Sequence, residues 1–231
     1  MLKVWWFDKP YPGNFGDVIT SHVLKYFDIP FVHSPKDYNT ICVGSIAVKA
    51  NAGTLVLGSG ILKSKSILNP HADWRFVRGP KTRNAVLASG GSCPEIYGDP
   101  ALMLPLMCDE KSKKYDVGIV PHYVDYEFVK QKYPNYRVIN LITDDPMKTA
   151  KEITECRSII SSSLHGIICA HAYGIPAAWV NFTAGLAGDG VKFDDYYQSV
   201  GLTAELSTID NPIFTMGTLD MNPVIEVFKS L

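Results

Sequence analysis

The 231-residue chain lacks a dominant charge, a paired-cysteine motif and any long hydrophobic run. Lysine and arginine number 22 against 23 for aspartate and glutamate, so no overall field draws the protein to nucleic acid or to an acidic membrane surface. No apolar stretch approaches the length that spans a bilayer, and the opening residues are interrupted by charge too soon for a signal peptide. We therefore expect a soluble, cytoplasmic protein without a transmembrane segment, in which any anion site is local.

Cysteine is present, but its pattern is not typical of a metal site or a disulfide framework. The five cysteines are an odd number, are widely spaced and include no Cys-x-x-Cys pair: Cys42, Cys93, Cys108, Cys156 and Cys169. Most lie in apolar segments, which favours buried thiols in a reducing compartment. The histidines outside the motifs below have no ligand partner at helical spacing, and we assign no metal.

What the chain does contain is an alternation of short apolar runs with segments of helical periodicity. Runs typical of buried parallel strands begin near residues 2, 40, 54, 74, 96, 115, 137, 159 and 177, and we expect the strand near 96 to end at Asp99-Pro100. The charged stretch 108–114 interrupts the alternation, and we place a domain boundary there. The expected fold is α/β, with two doubly wound parallel sheets in domains of residues 1–110 and 111–231.

The most informative stretch has the order strand, serine-rich turn, helix, strand. Three serines, Ser161–Ser163, precede a helix that we expect to begin near Leu164. Backbone N–H groups and the positive end of the helix dipole would lie beside residues 162–166, which favours an anion. His165 falls in the first turn, at the carboxyl end of a strand, where ligands of open α/β sheets usually bind. It is the leading candidate for the chemistry, whereas His171, further along the helix, is expected in the core.

Two glycine-containing loops follow earlier strands and have both structural and functional interpretations. Asn14, Gly16 and Asp17 open a helix, as a turn and N-terminal cap or as an acceptor-binding loop in which Asp17 binds a hydroxyl. Gly58 and Gly60 form a tight turn. Their spacing falls short of a dinucleotide-binding motif, so a nicotinamide cofactor is not expected.

Together these motifs, in their order and spacing, resemble those of the polysaccharide pyruvyl transferase family. The resemblance covers nearly the whole chain and is carried by Asn14-Phe-Gly16-Asp17, Gly58-Ser-Gly60, Val77-Arg78-Gly-Pro-Lys-Thr-Arg83, Gly98-Asp99-Pro100, Ser163-Leu164-His165-Gly166 and Lys192-Phe-Asp-Asp-Tyr-Tyr197. It implies two Rossmann-like domains facing across a cleft, as in GT-B glycosyltransferases, with the acceptor on the N-terminal side and the donor on the C-terminal side. It also implies that phosphoenolpyruvate is the donor substrate, with no further cofactor. Its enolpyruvyl group would pass to hydroxyls of a polysaccharide or lipid-linked glycan as a pyruvate ketal.

The resemblance also implies roles for single residues. His165 corresponds to the family's acid-base histidine, flanked by Leu164 and Gly166, while Ser163 stands where the family has an arginine. Cations for the carboxylate and phosphate of the donor are then expected from Arg78, Arg83 and Lys192; the structural alternative is ion pairing for Arg78 and solvated faces for Arg83 and Lys192. The remaining substrate-binding candidates are Asn14, Gly16, Asp17, Gly58 and Gly60.

Two other functions stay open at this point. A GT-B glycosyltransferase could hold the diphosphate of a nucleotide sugar at the same helix terminus. A glycan-binding protein without catalysis, descended from such an enzyme, would explain Ser163 in place of the arginine. For the pyruvyl transferase as well, peripheral contact with a membrane-bound acceptor stays open.

Overall fold

The computed structural model describes residues 1–184 and 186–231, in which ten β-strands alternate with eight α-helices. The strands are β1 Leu2–Trp5, β2 Phe31–His33, β3 Thr40–Ile41, β4 Leu55–Leu57, β5 Asp73–Phe76, β6 Tyr115–Val120, β7 Arg137–Val138, β8 Cys156–Ser161, β9 Ala177–Val180 and β10 Leu206–Ser207. The helices are α1 Phe15–Tyr26, α2 Pro80–Ala88, α3 Leu104–Met107, α4 Tyr126–Lys132, α5 Pro146–Thr154, α6 Leu164–Ala172, α7 Val191–Ser199 and α8 Asn222–Lys229. Within this part of the chain no helix combines the length and apolar character needed to cross a membrane.

The strands form two five-stranded sheets with the same winding. The first has the order β2-β1-β3-β4-β5 and the second β10-β9-β8-β6-β7, with parallel pairing throughout. Counted from β6, the second sheet has the order 2-1-3-4-5, which is also that of the first. This doubly wound order confirms the expected Rossmann-like α/β fold. In each sheet the winding reverses between the first and third strands, and this position is the switch point.

The central strands are buried because each is a short apolar run covered on both faces. In β8, Ile159 and Ile160 are at most 2% exposed. The strand pairs with β6 over five positions, from Tyr115 opposite Cys156 to Val120 opposite Ser161. Such burial on both faces is the usual state of a central parallel strand.

The sequence-based prediction fails at two of the four edge strands and at the strand expected near residue 96, where Tyr97 forms an isolated bridge with Val77. β2 and β10 lie at the outer edges of the two sheets and were not predicted. They have three and two residues, with an exposed residue in each. An edge strand needs no continuous apolar run, since only one side of it is paired and its faces are partly solvated.

The last two helices lie against the first half of the chain, although they follow the second sheet in sequence. In α8, the Phe228 ring stacks on Phe27 with centroids 5.0 Å apart and meets Phe76 edge-on at 5.7 Å. In α7, the backbone approaches Gly79 so closely that a Cβ there would overlap the carbonyl oxygen of Asp195. The division at residue 110 therefore separates the strands of the two sheets, while helices of the second half also contact the first.

Candidate active site

A pocket of about 280 Å³ is lined by residues from both switch points. From the first half, Asn14 and Asp17 follow β1, and Ser45 follows β3. From the second half, His122 follows β6 and His165 follows β8. Both sheets therefore present the carboxyl ends of their switch strands to one pocket, which is the usual ligand position in doubly wound folds.

The three serines build the turn that begins α6. The Ser161 hydroxyl donates to the carbonyl of Val120 and accepts from the backbone N–H of Ser163, and the Ser162 hydroxyl accepts from the N–H of His122. Ser163, the N-cap residue, makes no side-chain cap to its own helix. The first-turn N–H groups of α6 thus lack a side-chain cap at the wall of the pocket, where an anion would satisfy them.

His165 lies in the first turn of α6, as predicted, with a buried carboxylate behind it. Its Nε2 is 3.6 Å from Oδ2 of Asp99, which is fully buried, and neither atom has a hydrogen-bond partner among the described residues. The other oxygen of Asp99 accepts from the N–H of Ala101 at 3.0 Å. A shift of a few tenths of an ångström would join the two atoms in a hydrogen bond, and Asp99 would then fix the orientation of the imidazole.

The opposite edge of the imidazole lies against the first turn of α1. A Cβ added to Gly16 would overlap the His165 ring at Nδ1, so the ring fits only because residue 16 has no side chain. Next to it, the buried carboxylate of Asp17 accepts a 2.6 Å hydrogen bond from the Asn14 amide. Burial raises the pKa of Asp17, and this outweighs the Asn14 hydrogen bond and the nearby charge of His165, which lower it.

Lys192, in the first turn of α7, brings a cation to the pocket. The residue is 9% exposed, and burial together with the charge of Arg78 lowers its pKa to about 8. Among the described residues, no carboxylate lies within 4 Å of its ammonium group. Burial, and then the charge of Lys192, lowers the pKa of the pocket residue His122 to about 4, so His122 is neutral near pH 7. The ammonium group is available to an anionic ligand.

Arg78 requires a correction, because the structure does not place it on the pocket. It is fully buried, and its Nε and Nη2 each lie 3.0 Å from Oδ2 of Asp195. Its Nη1 donates to the Ser45 hydroxyl and its Nη2 to the carbonyl of Ile61, both at 2.7 Å. With these partners Arg78 joins α7 to the first half of the chain, so we do not retain it as a direct ligand of the donor.

Three further residues predicted to bind substrate make packing or hydrogen-bond contacts within the protein instead. Arg83 donates from Nε to the carbonyl of Cys93 at 3.1 Å and does not line the pocket. Gly58 has a φ of +90° and packs against Pro100, while a Cβ on Gly60 would overlap the guanidinium of Arg78. These glycines allow close packing, which supports the tight-turn interpretation.

The pocket brings together six of the predicted residues and adds others that the sequence reasoning missed. Asn14, Asp17, Ser163, Leu164, His165 and Lys192 line it. Gly16 and Gly166 make room behind it, since a Cβ on Gly166 would lie 2.5 Å from the Ser161 hydroxyl. Asp99, His122, Ser45 and Lys9 were missed as site residues; the signal for Asp99 was its place in the Gly98-Asp99-Pro100 motif.

The described residues contain no group of three or more His, Cys, Asp or Glu side chains placed to hold a metal ion. The assignment of no metal and no cofactor stays a prediction. The polar groups that the pocket presents include two ammonium groups (Lys9 and Lys192), two imidazoles (His122 and His165), the Asp17 carboxyl group and uncapped backbone N–H groups. This set fits a small anionic substrate.

Comparison with known protein families matches the part of the chain that holds most of these pocket residues. The family model described as polysaccharide pyruvyl transferase matches residues 4–182, which include both switch points. The chain belongs to the polysaccharide pyruvyl transferase family. The motif resemblance is thereby confirmed, although the match ends before Lys192.

Two curated relatives of this pyruvyl transferase family member differ in how much of it they match. The uncharacterized protein L143 of Acanthamoeba polyphaga mimivirus is 36% identical over 170 residues, 69% of this chain and 59% of L143. The succinoglycan biosynthesis protein ExoV of Rhizobium meliloti (strain 1021) is 25% identical over 217 residues, 87% of this chain and 66% of ExoV. The chain thus spans less than two thirds of the length of either relative. No solved structure matches it significantly.

Proposed function

We propose that this protein binds phosphoenolpyruvate in the pocket and transfers its enolpyruvyl group to hydroxyls of a polysaccharide or lipid-linked glycan precursor, as a pyruvate ketal. Family membership supports pyruvyl transfer. The single observation that carries the proposal is that His165, the uncapped start of α6 and Lys192 meet in one pocket. In this proposal the two sheets face each other in a GT-B-like arrangement, with the donor bound between them.

The donor has a phosphate and a carboxylate, and the pocket offers them the buried cation Lys192, the second lining cation Lys9 and one helix terminus. The N–H groups at the start of α6 bind one anionic group, while the ammonium of Lys192 binds the other. Ser163 has a hydroxyl in place of the family's arginine, so it can donate a hydrogen bond but supplies no charge. Lys192, which reaches the same pocket from α7, supplies that charge instead.

The reaction needs a proton donor at the methylene carbon and a proton acceptor beside the neighbouring carbon, which forms the ketal. His165 protonates the methylene carbon of phosphoenolpyruvate, and positive charge develops at the neighbouring carbon. A sugar hydroxyl attacks that carbon and gives its proton to the carboxylate of Asp17, which is a stronger base than an exposed aspartate because burial raises its pKa. The bond to the phosphate oxygen breaks and inorganic phosphate leaves with the electron pair. A second hydroxyl then closes the ketal, and its proton leaves on the phosphate.

The dimensions of the pocket favour this donor over a nucleotide sugar. At about 280 Å³ the pocket is at the lower limit of ordinary ligand sites, which run from about 300 to 1,000 Å³. A three-carbon phosphate ester fits such a volume better than a nucleoside diphosphate with its sugar. The glycosyltransferase alternative therefore requires a nucleotide sugar that extends beyond this pocket, and the non-catalytic alternative requires a donor site that is never used.

The direct test is calorimetric titration of the protein with phosphoenolpyruvate, UDP and GDP. We expect phosphoenolpyruvate alone to bind, and we expect Lys192→Met to weaken it by about tenfold or more, because the cation is lost from a partly desolvated site. Lys111→Met, at an exposed position outside the pocket, is the matched control and should bind like the wild type. Binding of a nucleotide in place of phosphoenolpyruvate would support the glycosyltransferase. If none of the three ligands binds, the donor site is refuted.

A further inference from the structure

A second pocket of about 300 Å³ adjoins the first. The two share Lys192 and Ala187, so ligands in both pockets would be neighbours. The second pocket lies at the carboxyl end of β9 and reaches Leu206 in β10. It therefore continues the ligand-binding edge of the second sheet outward from the switch point. Its lining residues all belong to the second half, so an acceptor bound here departs from the N-terminal side that the family resemblance implies.

The lining of this second pocket combines two stacked aromatic rings with a side-chain amide that has no hydrogen-bond partner among the described residues. The rings of Trp179 and Phe193 stack in parallel, with centroids 4.1 Å apart and planes 14° apart. Asn181, directly after β9, is exposed, and its amide makes no hydrogen bond with any described residue. The buried Nε1 of Trp179 likewise has no partner in the described part of the chain. An apolar ring beside free amide donors and acceptors is suited to a pyranose, which has both C–H faces and hydroxyls.

The loop that closes this pocket is held in place by the other half of the molecule. Oδ2 of Asp189 accepts from the backbone N–H of Ser64 at 2.8 Å and from its hydroxyl at 2.6 Å. Gly188, with a φ of +106°, has no room for a side chain against the carbonyl of Leu62. Since Asp189 is committed to Ser64, its carboxylate is not the group that recognises a ligand. The loop contacts instead give the pocket a preformed wall.

We infer that the second pocket is the acceptor subsite, where one pyranose ring of the glycan packs beside Trp179, hydrogen-bonds Asn181 and directs hydroxyls past Lys192 toward the donor. The inference rests on the proposed function, because it needs a donor in the first pocket. Ketal formation requires two hydroxyls of one sugar at the same carbon of the donor, so the acceptor must lie directly beside the donor. The residue shared by the two pockets, Lys192, marks where they meet.

The test separates acceptor binding from donor binding. Methyl glycosides of glucose, galactose and mannose are used as probes in the presence of phosphoenolpyruvate, with saturation-transfer NMR for contact and titration for affinity. We expect at least one glycoside to bind. Asn181→Ala should weaken it by about three- to tenfold and Trp179→Leu by about tenfold or more, while affinity for phosphoenolpyruvate stays within about twofold of the wild type.

Asn84→Ala, at an exposed position on α2 outside both pockets, is the matched control and should bind the glycoside like the wild type. Because Trp179 packs on Phe193, its variant is accepted only if its melting temperature is close to that of the wild type; the exposed Asn181 variant does not depend on this condition. Unchanged glycoside affinity in Asn181→Ala, or no glycoside contact with the wild type while phosphoenolpyruvate binds, would overturn the subsite alone. If the wild type does not bind phosphoenolpyruvate, the proposed donor site is refuted instead.

Discussion

The first half of the molecule, with strands β1 to β5, and the second half, with β6 to β10, have the same strand order but bring different chemistry to the pocket. The first half contributes an amide, a carboxyl group and an ammonium, from Asn14, Asp17 and Lys9. The second contributes two imidazoles and a buried ammonium, from His122, His165 and Lys192. Since the topology is shared, the difference lies in side chains at loops and first helical turns, which is where function is added to a fold.

The contrast is sharpest at the second residue of the two helices that meet at the pocket. Helix α1 has Gly16 at this position and helix α6 has His165, one residue after Phe15 and Leu164 respectively. The imidazole of one half occupies the space that the missing side chain of the other leaves open. The second residue of α1, which follows the first strand of its sheet, thus complements the second residue of α6, which follows the third strand of the other sheet.

The largest expected effect is a loss of stability when the buried ion pair between the two halves is broken. The Arg78–Asp195 pair crosses between them and is fully buried, so Asp195→Ala would leave a guanidinium buried without its counter-ion. We expect the free energy of unfolding to fall by about 3–5 kcal/mol, measured by denaturant titration. The neighbouring Asp194→Ala is the control, since Asp194 is partly exposed and forms no ion pair among the described residues; its change should be within about 0.5 kcal/mol. A loss below about 1 kcal/mol in Asp195→Ala would contradict this role.

A smaller expected effect is the pH dependence of phosphoenolpyruvate affinity, which depends on the charge of Lys192 in the second half. Because burial and Arg78 lower the pKa of Lys192 to about 8, its ammonium form declines above that pH. Phosphoenolpyruvate affinity should therefore be steady below about pH 8 and then fall by up to about tenfold per pH unit. Lys192→Arg keeps its charge at these pH values, so affinity measured by calorimetry should lose this decline. The same decline in the variant as in the wild type would show that another group titrates.

Much of the fold could be predicted from the sequence, because central parallel strands need continuous apolar runs and helices need periodic ones. Runs such as Tyr115–Val120 and Ala177–Val180 therefore gave the correct strands. The edge strands Phe31–His33 and Leu206–Ser207 lack that requirement, so no local signal distinguishes them from loops. The parallel pairing of either edge strand depends on a partner elsewhere in the chain.

The candidate site could be predicted only where its signal is local. Three serines before an apolar helix place His165 at a helix start, and the structure agrees. The environment of Arg78 could not be predicted, since its partner Asp195 is 117 residues further along the chain. Asp99 was likewise interpreted as the end of a strand, because no local pattern joins it to His165.

The most direct measurement of the central claim is phosphate release from phosphoenolpyruvate in the presence of a glycoside, for the wild type and His165→Ala. If His165 delivers the proton to the methylene carbon, the variant should release phosphate at least about a hundredfold more slowly while still binding phosphoenolpyruvate and keeping its melting temperature. His71→Ala, at an exposed position outside the pocket, should match the wild type. Phosphate release by His165→Ala at the wild-type rate would contradict the account, because the histidine between the two switch points would then have no part in the transfer.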